Sequence, residues 1–104
     1  MRPLWSMQAY EAYLKICGSI RRHFGSKIEK EYIAAVNLAV KQLTKHPGIG
    51  KPEYELAEDG SVRGKIINGL SKIIYYTDND ILYIADVWDT RQDPSMLVDR
   101  FTKL

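Results

Sequence analysis

Apolar positions in the first half of the chain recur at helical spacing. Between Met7 and Phe24, the residues Tyr10, Tyr13, Leu14, Cys17, Ile20 and Phe24 return every three or four positions, which predicts a helix. Gly18-Ser19 weakens its middle, by about 1 kcal/mol for the glycine. Gly25 stops it, because glycine accepts the left-handed geometry that follows a helix end. A second helix is predicted from Ser26, where Ser26-Lys27-Ile28-Glu29 has the S-x-x-E form of a capping box. Ile28, Tyr32, Val36, Val40 and Leu43 form its apolar stripe, widened by Ile33, Ala35 and Ala39, and His46-Pro47-Gly48-Ile49-Gly50 ends it. A link of one or two residues makes the two helices antiparallel neighbours.

The last third changes period. Val62–Ile67 and Leu70–Tyr76 are strand-like runs around Asn68-Gly69, a hairpin signal because both turn residues need positive φ. Thr77-Asp78-Asn79-Asp80 is a second turn. Ile81–Trp88 is apolar at nearly every position and is expected inside the sheet. Arg2–Trp5 reads as a short strand that Pro3 confines to an edge. Residues 51–61 read as a polar loop in which Glu53–Leu56 is a brief strand, and Asp93-Pro94 starts a short C-terminal helix. The order β-α-α-β-β-β plus a terminal helix predicts one α+β domain over residues 1–104, with a helical hairpin packed on a twisted antiparallel sheet.

Composition narrows the function classes. The chain has 104 residues, 45% hydrophobic and 27% charged, in the range of one soluble globular domain. No apolar run reaches the roughly 20 residues that span a bilayer, and the start Met1-Arg2-Pro3-Leu4-Trp5 lacks the apolar stretch of a signal peptide. Cys17 is the single cysteine, so an intrachain disulfide is excluded and a reducing cytoplasm is expected. His23 and His46 have no metal-ligand spacing, and no Gly-rich phosphate loop follows a strand, so no metal or cofactor is expected.

The net charge of +2 is unevenly spread: residues 1–52 hold nine Lys/Arg against three Glu, residues 53–60 hold four acids and no base, and residues 61–104 hold six of each sign. The basic half points either to an anionic partner, nucleic acid or acidic protein, or to a solvated helical surface.

A two-residue Asn-Gly turn sets a register in which Ile67 faces Leu70, Ile66 faces Ser71, Lys65 faces Lys72 and Arg63 faces Ile74. Arg63, Lys65, Lys72 and Ile74 then share one face. Two lysines directly opposite repel mildly, which a bound phosphate or a partner's carboxylates would offset, or the side chains splay into solvent. Arg91, just past the third strand, suits planar recognition of phosphate or carboxylate, or else pairs with Asp89 or Asp93 and pins the loop. Asp86 interrupts an apolar strand. It either faces outward or takes Lys72 or Lys65 as partner.

The order and spacing of these pieces resemble the RelE/ParE toxin superfamily over essentially the whole chain. The resemblance rests on Leu4-Trp5-Ser6, on the second helix ending in Lys45-His46-Pro47-Gly48-Ile49-Gly50-Lys51-Pro52, and on Val62-Arg63, Lys72-Ile73-Ile74-Tyr75-Tyr76, Ile81-Leu82-Tyr83-Ile84 and Asp89-Thr90-Arg91-Gln92-Asp93-Pro94. It implies a cytoplasmic toxin of a type II toxin–antitoxin system, neutralised by a cognate antitoxin in a hetero-oligomer. RelE-like members cleave mRNA on the ribosome, and ParE-like members poison DNA gyrase.

For RNA cleavage the resemblance places Lys72 and Arg91 at two catalytic arginine positions, with Lys65 and Arg63 completing a positive pocket for the phosphate. The chain departs from that pattern at its C-terminal end. No Tyr or His follows Arg91, and Met96 and Leu97 stand where the family's terminal tyrosine is expected. That leaves no evident general acid or base for attack by a 2′-hydroxyl. The long helical hairpin ending in His46-Pro47-Gly48-Ile49-Gly50 looks more like the ParE side.

Overall fold

The computed structural model describes residues 1–92 and 94–102, apart from the side chains of residues 94, 95 and 102. Asp93, expected to cap the last helix, lies outside the described residues.

β1 (Arg2–Trp5) enters α1 (Met7–Phe24), which is followed by α2 (Ser26–Lys45). A 3-10 turn at Pro47–Ile49 leads to β2 (Lys51–Pro52), β3 (Arg63–Ile67), β4 (Ser71–Asp78), β5 (Ile81–Asp89) and α3 (Pro94–Thr102). The five strands form one sheet in the order β1-β5-β4-β3-β2. β1 runs parallel to β5 and every other pairing is antiparallel. The α+β reading and the boundaries of both long helices hold. The expected edge strand Arg2–Trp5 is present; its parallel pairing with β5 and the two-residue β2 are additions, and Glu53–Leu56 is a turn rather than the expected strand.

Two apolar layers cover the sheet. On one face Ala9, Ile16 and Ile20 of α1 and Tyr32, Val36 and Leu43 of α2 bury Ile73, Tyr75, Leu82, Ile84 and Val87. On the other face Leu97 of α3 packs with Val62, Ile74, Ala85 and Trp88, and Leu56, Ala57 and Phe101 close the edges.

The ends of the helices explain their placement. Ser6 caps α1, accepting from the Ala9 amide at 2.9 Å, while its hydroxyl donates to the Ala85 carbonyl at 2.9 Å. That carbonyl is free because Ala85 is an extra residue in β5: Tyr75 pairs with Ile84 and Ile74 with Asp86. The capping box expected at Ser26 does not form. Ser26 is already helical, and Gly25, at φ 91°, is both the last cap of α1 and the first cap of α2, with no side-chain bond. With only one residue between the helices, no position remains for a non-helical Ser26. Glu29 lies instead 4.0 Å from Arg21 on α1.

Candidate functional site

The β3–β4 hairpin decides where the candidate cations lie. Asn68 and Gly69 take positive φ, 52° and 69°, as the Asn-Gly signal requires. The Leu70 amide donates to the Ile67 carbonyl at 2.9 Å, yet Ile67 pairs with Ser71 rather than with Leu70. Leu70 is thus a bulged residue, and the register moves by one. Ile66 faces Lys72, Lys65 faces Ile73, and Arg63 faces Tyr75.

A one-residue slip carries each side chain to the other face. Lys65 and Arg63 therefore share the helix-covered side with Ile73 and Tyr75, while Lys72 shares the opposite side with Ile74. The expected common face for Arg63, Lys65, Lys72 and Ile74 is corrected on this point. The cause is burial on the helix side, where Leu70 packs against the main core and the fully buried Ser71 bonds to Tyr32.

Each cation has a distinct setting. Lys72 Nζ lies 2.7 Å from Glu53 Oε1, with both side chains about three-quarters buried (27% and 24% exposed). The pair crosses Gly64, where a Cβ would collide with the Glu53 carboxylate and crowd Lys72 Cδ at 2.8 Å. Arg63 Nη1 donates to the carbonyls of Gly50 at 2.7 Å and Gly48 at 3.4 Å. Tyr75 Oη accepts from the Gly50 amide at 2.9 Å and donates to the Pro47 carbonyl at 2.7 Å, so Arg63 and Tyr75 fix the 47–50 turn together. Lys65 has no hydrogen bond or ion pair among the described residues.

Arg91 grips Asp89 with two bonds, from Nε at 3.0 Å and Nη2 at 2.7 Å, and Nη2 also reaches Ser19 Oγ on α1 at 3.0 Å. The hydrogen bonds from Arg91 hold the Asp89 carboxyl below the usual carboxylate range. Of the two readings of Arg91, the loop pin is the one present.

Asp86 is fully buried, and its partner is neither lysine. Arg100 of α3 donates to Oδ1 at 2.7 Å, Gln8 of α1 donates to Oδ2 at 3.1 Å, and the Val87 amide donates at 2.8 Å. Burial nonetheless pushes its carboxyl above the usual range. Arg100 also stacks over Trp88 at 5.1 Å. Arg100 and Glu53 are the two site residues that sequence reasoning missed. Leu97 and Phe101 define the inner side of α3, which puts Arg100 beside them at i+3, and that spacing was a usable signal.

Between α1 and the end of β5 lies an open groove of about 500 Å³ lined by Gln8, Glu11, Lys15, Ser19, Asp89 and Arg100, among others. Both signs of charge are present in its lining. No group of three metal-ligating side chains occurs among the described residues, and no described helix is long and apolar enough to cross a membrane.

Lys72 thus lies on the side of the sheet opposite Arg63 and Lys65. The sequence of residues 4–94 matches the family model described as ParE toxin of type II toxin-antitoxin system, parDE. The chain belongs to the ParE toxin family. It is the toxin component of a type II toxin–antitoxin system, within the RelE/ParE superfamily. Its fold resembles a chain of the chromosomal ParDE toxin–antitoxin system from P. aeruginosa, with a TM-score of 0.69 at 14% identity, covering 86% of this chain and 95% of that one. It also resembles a chain of the heterotetrameric YoeB-YefM toxin–antitoxin complex from Staphylococcus aureus, with a TM-score of 0.55 at 22% identity, covering 85% and 94%. No individually curated protein sequence matches the chain. Of the four candidate cations, Lys72 and Arg91 face carboxylates, Arg63 faces carbonyls, and Lys65 has no partner among the described residues.

Proposed function

We propose that this ParE-family toxin arrests growth by binding DNA gyrase, and that a cognate antitoxin neutralises it in a hetero-oligomeric complex in the cytoplasm. The observation that carries the reading is the pairing of Lys72 with Glu53 and of Arg91 with Asp89. Stabilising a phosphorane-like transition state needs uncommitted positive charge aimed at one site. Here Lys72 and Arg91 lie on opposite sides of the sheet, each facing a carboxylate at 2.7 Å, and Lys65 is the one candidate cation without a partner among the described residues. The exposed side chain of Met96 and the buried Leu97 place no proton-transfer group at those positions on α3. The antitoxin is supported by family membership and by structural neighbours that are themselves toxin–antitoxin complexes.

Supercoiling of relaxed plasmid by purified gyrase tests the target. Inhibition at low micromolar toxin, relieved by the antitoxin, is the expected result, and an undisturbed reaction contradicts it. The competing ribosome-dependent endoribonuclease would use Lys65, Lys72 and Arg91 catalytically, and it predicts mRNA cut in translating extracts.

A further inference from the structure

The outer side of α1 carries an apolar strip that no described residue covers. Met7, Tyr10 and Leu14 recur at i, i+3 and i+7 and are 78%, 52% and 50% exposed, on the side opposite the buried Ala9, Ile16 and Ile20. Gly18 and Arg21 continue the same line at i+11 and i+14. Trp5 packs edge-on against Tyr10 at 6.4 Å and holds that ring at one end of the strip. Large apolar side chains aligned on a helix face in this way mark an interaction surface rather than scattered exposure.

Charge indicates what covers it. The two long helices hold seven basic residues against three acidic ones. Arg21 with Glu29, at 4.0 Å, is the one ion pair of these helices among the described residues, and Lys15, Arg22, Lys27 and Lys30 have none. A second copy of the chain would bring the same positive surface against itself, so self-association through this face is opposed. An acidic partner is attracted. The strip is straight and about 21 Å long from Met7 to Arg21, at 1.5 Å per residue, and its period of 3.6 matches the ridges of another helix rather than the two-residue period of a strand.

We propose that the outer face of α1 is a docking surface for an acidic amphipathic helix of a partner protein. The apolar side of that helix lies on Met7, Tyr10 and Leu14, and its carboxylates meet Arg21 and Arg22. Met7, Tyr10, Leu14, Arg21 and Arg22 do not line the groove between α1 and the end of β5, and none of them is a candidate catalytic cation.

The test uses the full-length toxin and two fluorescently labelled amphipathic peptides of about 16 residues. Both carry leucines on one face, with glutamates elsewhere in one and lysines elsewhere in the other. Anisotropy is expected to show the glutamate peptide binding about tenfold or more tightly than the lysine peptide at low salt, with the advantage shrinking as salt screens it. Leu14→Glu is expected to weaken the glutamate peptide by a further tenfold or so, while Ile66→Glu, at an exposed apolar site on β3, leaves it unchanged. Circular dichroism checks the fold of each variant, and Leu14→Ser replaces Leu14→Glu if the latter unfolds. Equal binding of the two peptides, or undiminished binding by the folded Leu14 variant, overturns the proposal. Gyrase and ribosomes are absent from the assay, so its failure leaves the gyrase reading untouched.

Discussion

The hydroxyls of Tyr32 and Ser71 meet at 2.7 Å inside the main core, and both residues are fully buried. This contact ties α2 to the first residue of β4 and fixes which way Ser71 points. With Ser71 turned to the helices, Lys72 must turn away from them. The separation of Lys72 from Lys65 is thus a consequence of a core hydrogen bond.

Tyr32→Phe leaves the Ser71 hydroxyl buried without its partner and is expected to cost about 1–3 kcal/mol. Tyr32→Phe combined with Ser71→Ala is expected to recover part of that loss, because no buried donor then remains unsatisfied. Urea unfolding of the single and double variants measures both. The same burial pushes the Tyr32 phenol up to about 12. Its contribution to stability is full below the ordinary value of 10.0 and declines as pH rises through the folded value.

Most of the architecture is legible from residue patterns, and the failures share one cause. Ile28, Tyr32, Val36, Val40 and Leu43 mark α2 because a helix repeats its environment every turn. Asn68-Gly69 marks the turn because positive φ restricts residue choice. Register is not local in that sense. The bulge at Leu70 arises from burial of Leu70 and Ser71 against α2, and the bulge at Ala85 coincides with the bond from Ser6, 79 positions away in the chain. The partners of Lys72 and Asp86 are also non-local, at Glu53 and Arg100. Residue types therefore announced the candidate cations and the local Asp89–Arg91 pair, while the partner of Lys72 depends on a tertiary contact.

Asp86 makes the far face of the sheet sensitive to pH. Its folded value is raised above the ordinary 3.8 by burial. Ionisation therefore opposes folding: its favourable contribution is full below that value and is lost as pH rises through the folded one. Asp86→Asn cannot ionise. The stability of the wild type relative to Asp86→Asn is expected to fall across that window and then stay level, as urea titrations from about pH 3 to 8 would show. Arg100→Met leaves the carboxylate buried with a weaker set of partners. It is expected to cost about 2–4 kcal/mol near neutrality, at or below the value for fully buried pairs because a third of Arg100 remains in water.

The Asp89–Arg91 pair runs the other way. Asp89 is held below 3.8, so its contribution is present above that value and lost as pH falls through the folded one. Half of the Arg91 side chain is exposed, so Asp89→Asn is expected to cost only about 0.5–1 kcal/mol at neutral pH. That difference should vanish in strong acid, where the wild-type carboxyl is also protonated. Thermal unfolding of both proteins near neutrality and in acid checks the sign.

Gly50 is required by a close approach. A Cβ there would strike the Tyr75 hydroxyl and lie 2.9 Å from the Gly64 carbonyl. Gly50→Ala is expected to cost about 1–3 kcal/mol by overpacking, with loss of the bonds that fix the 47–50 turn. Gly48→Ala, which meets nothing within 4 Å, is the matched control and should be nearly neutral. Unfolding midpoints of the two variants test the contrast.

The central claim is that the toxin binds a target rather than cutting RNA. Its most direct test is induced expression in bacteria without antitoxin, for the wild type and for Lys72→Ala and Arg91→Ala, with separate pulse-labelling of new DNA and new protein. The predicted result is failing DNA synthesis with induction of the DNA-damage response while translation continues, and toxicity retained in both variants. An immediate collapse of protein synthesis with DNA synthesis intact, abolished by Lys72→Ala and Arg91→Ala in folded protein, would contradict it and make those two cations a phosphate clamp.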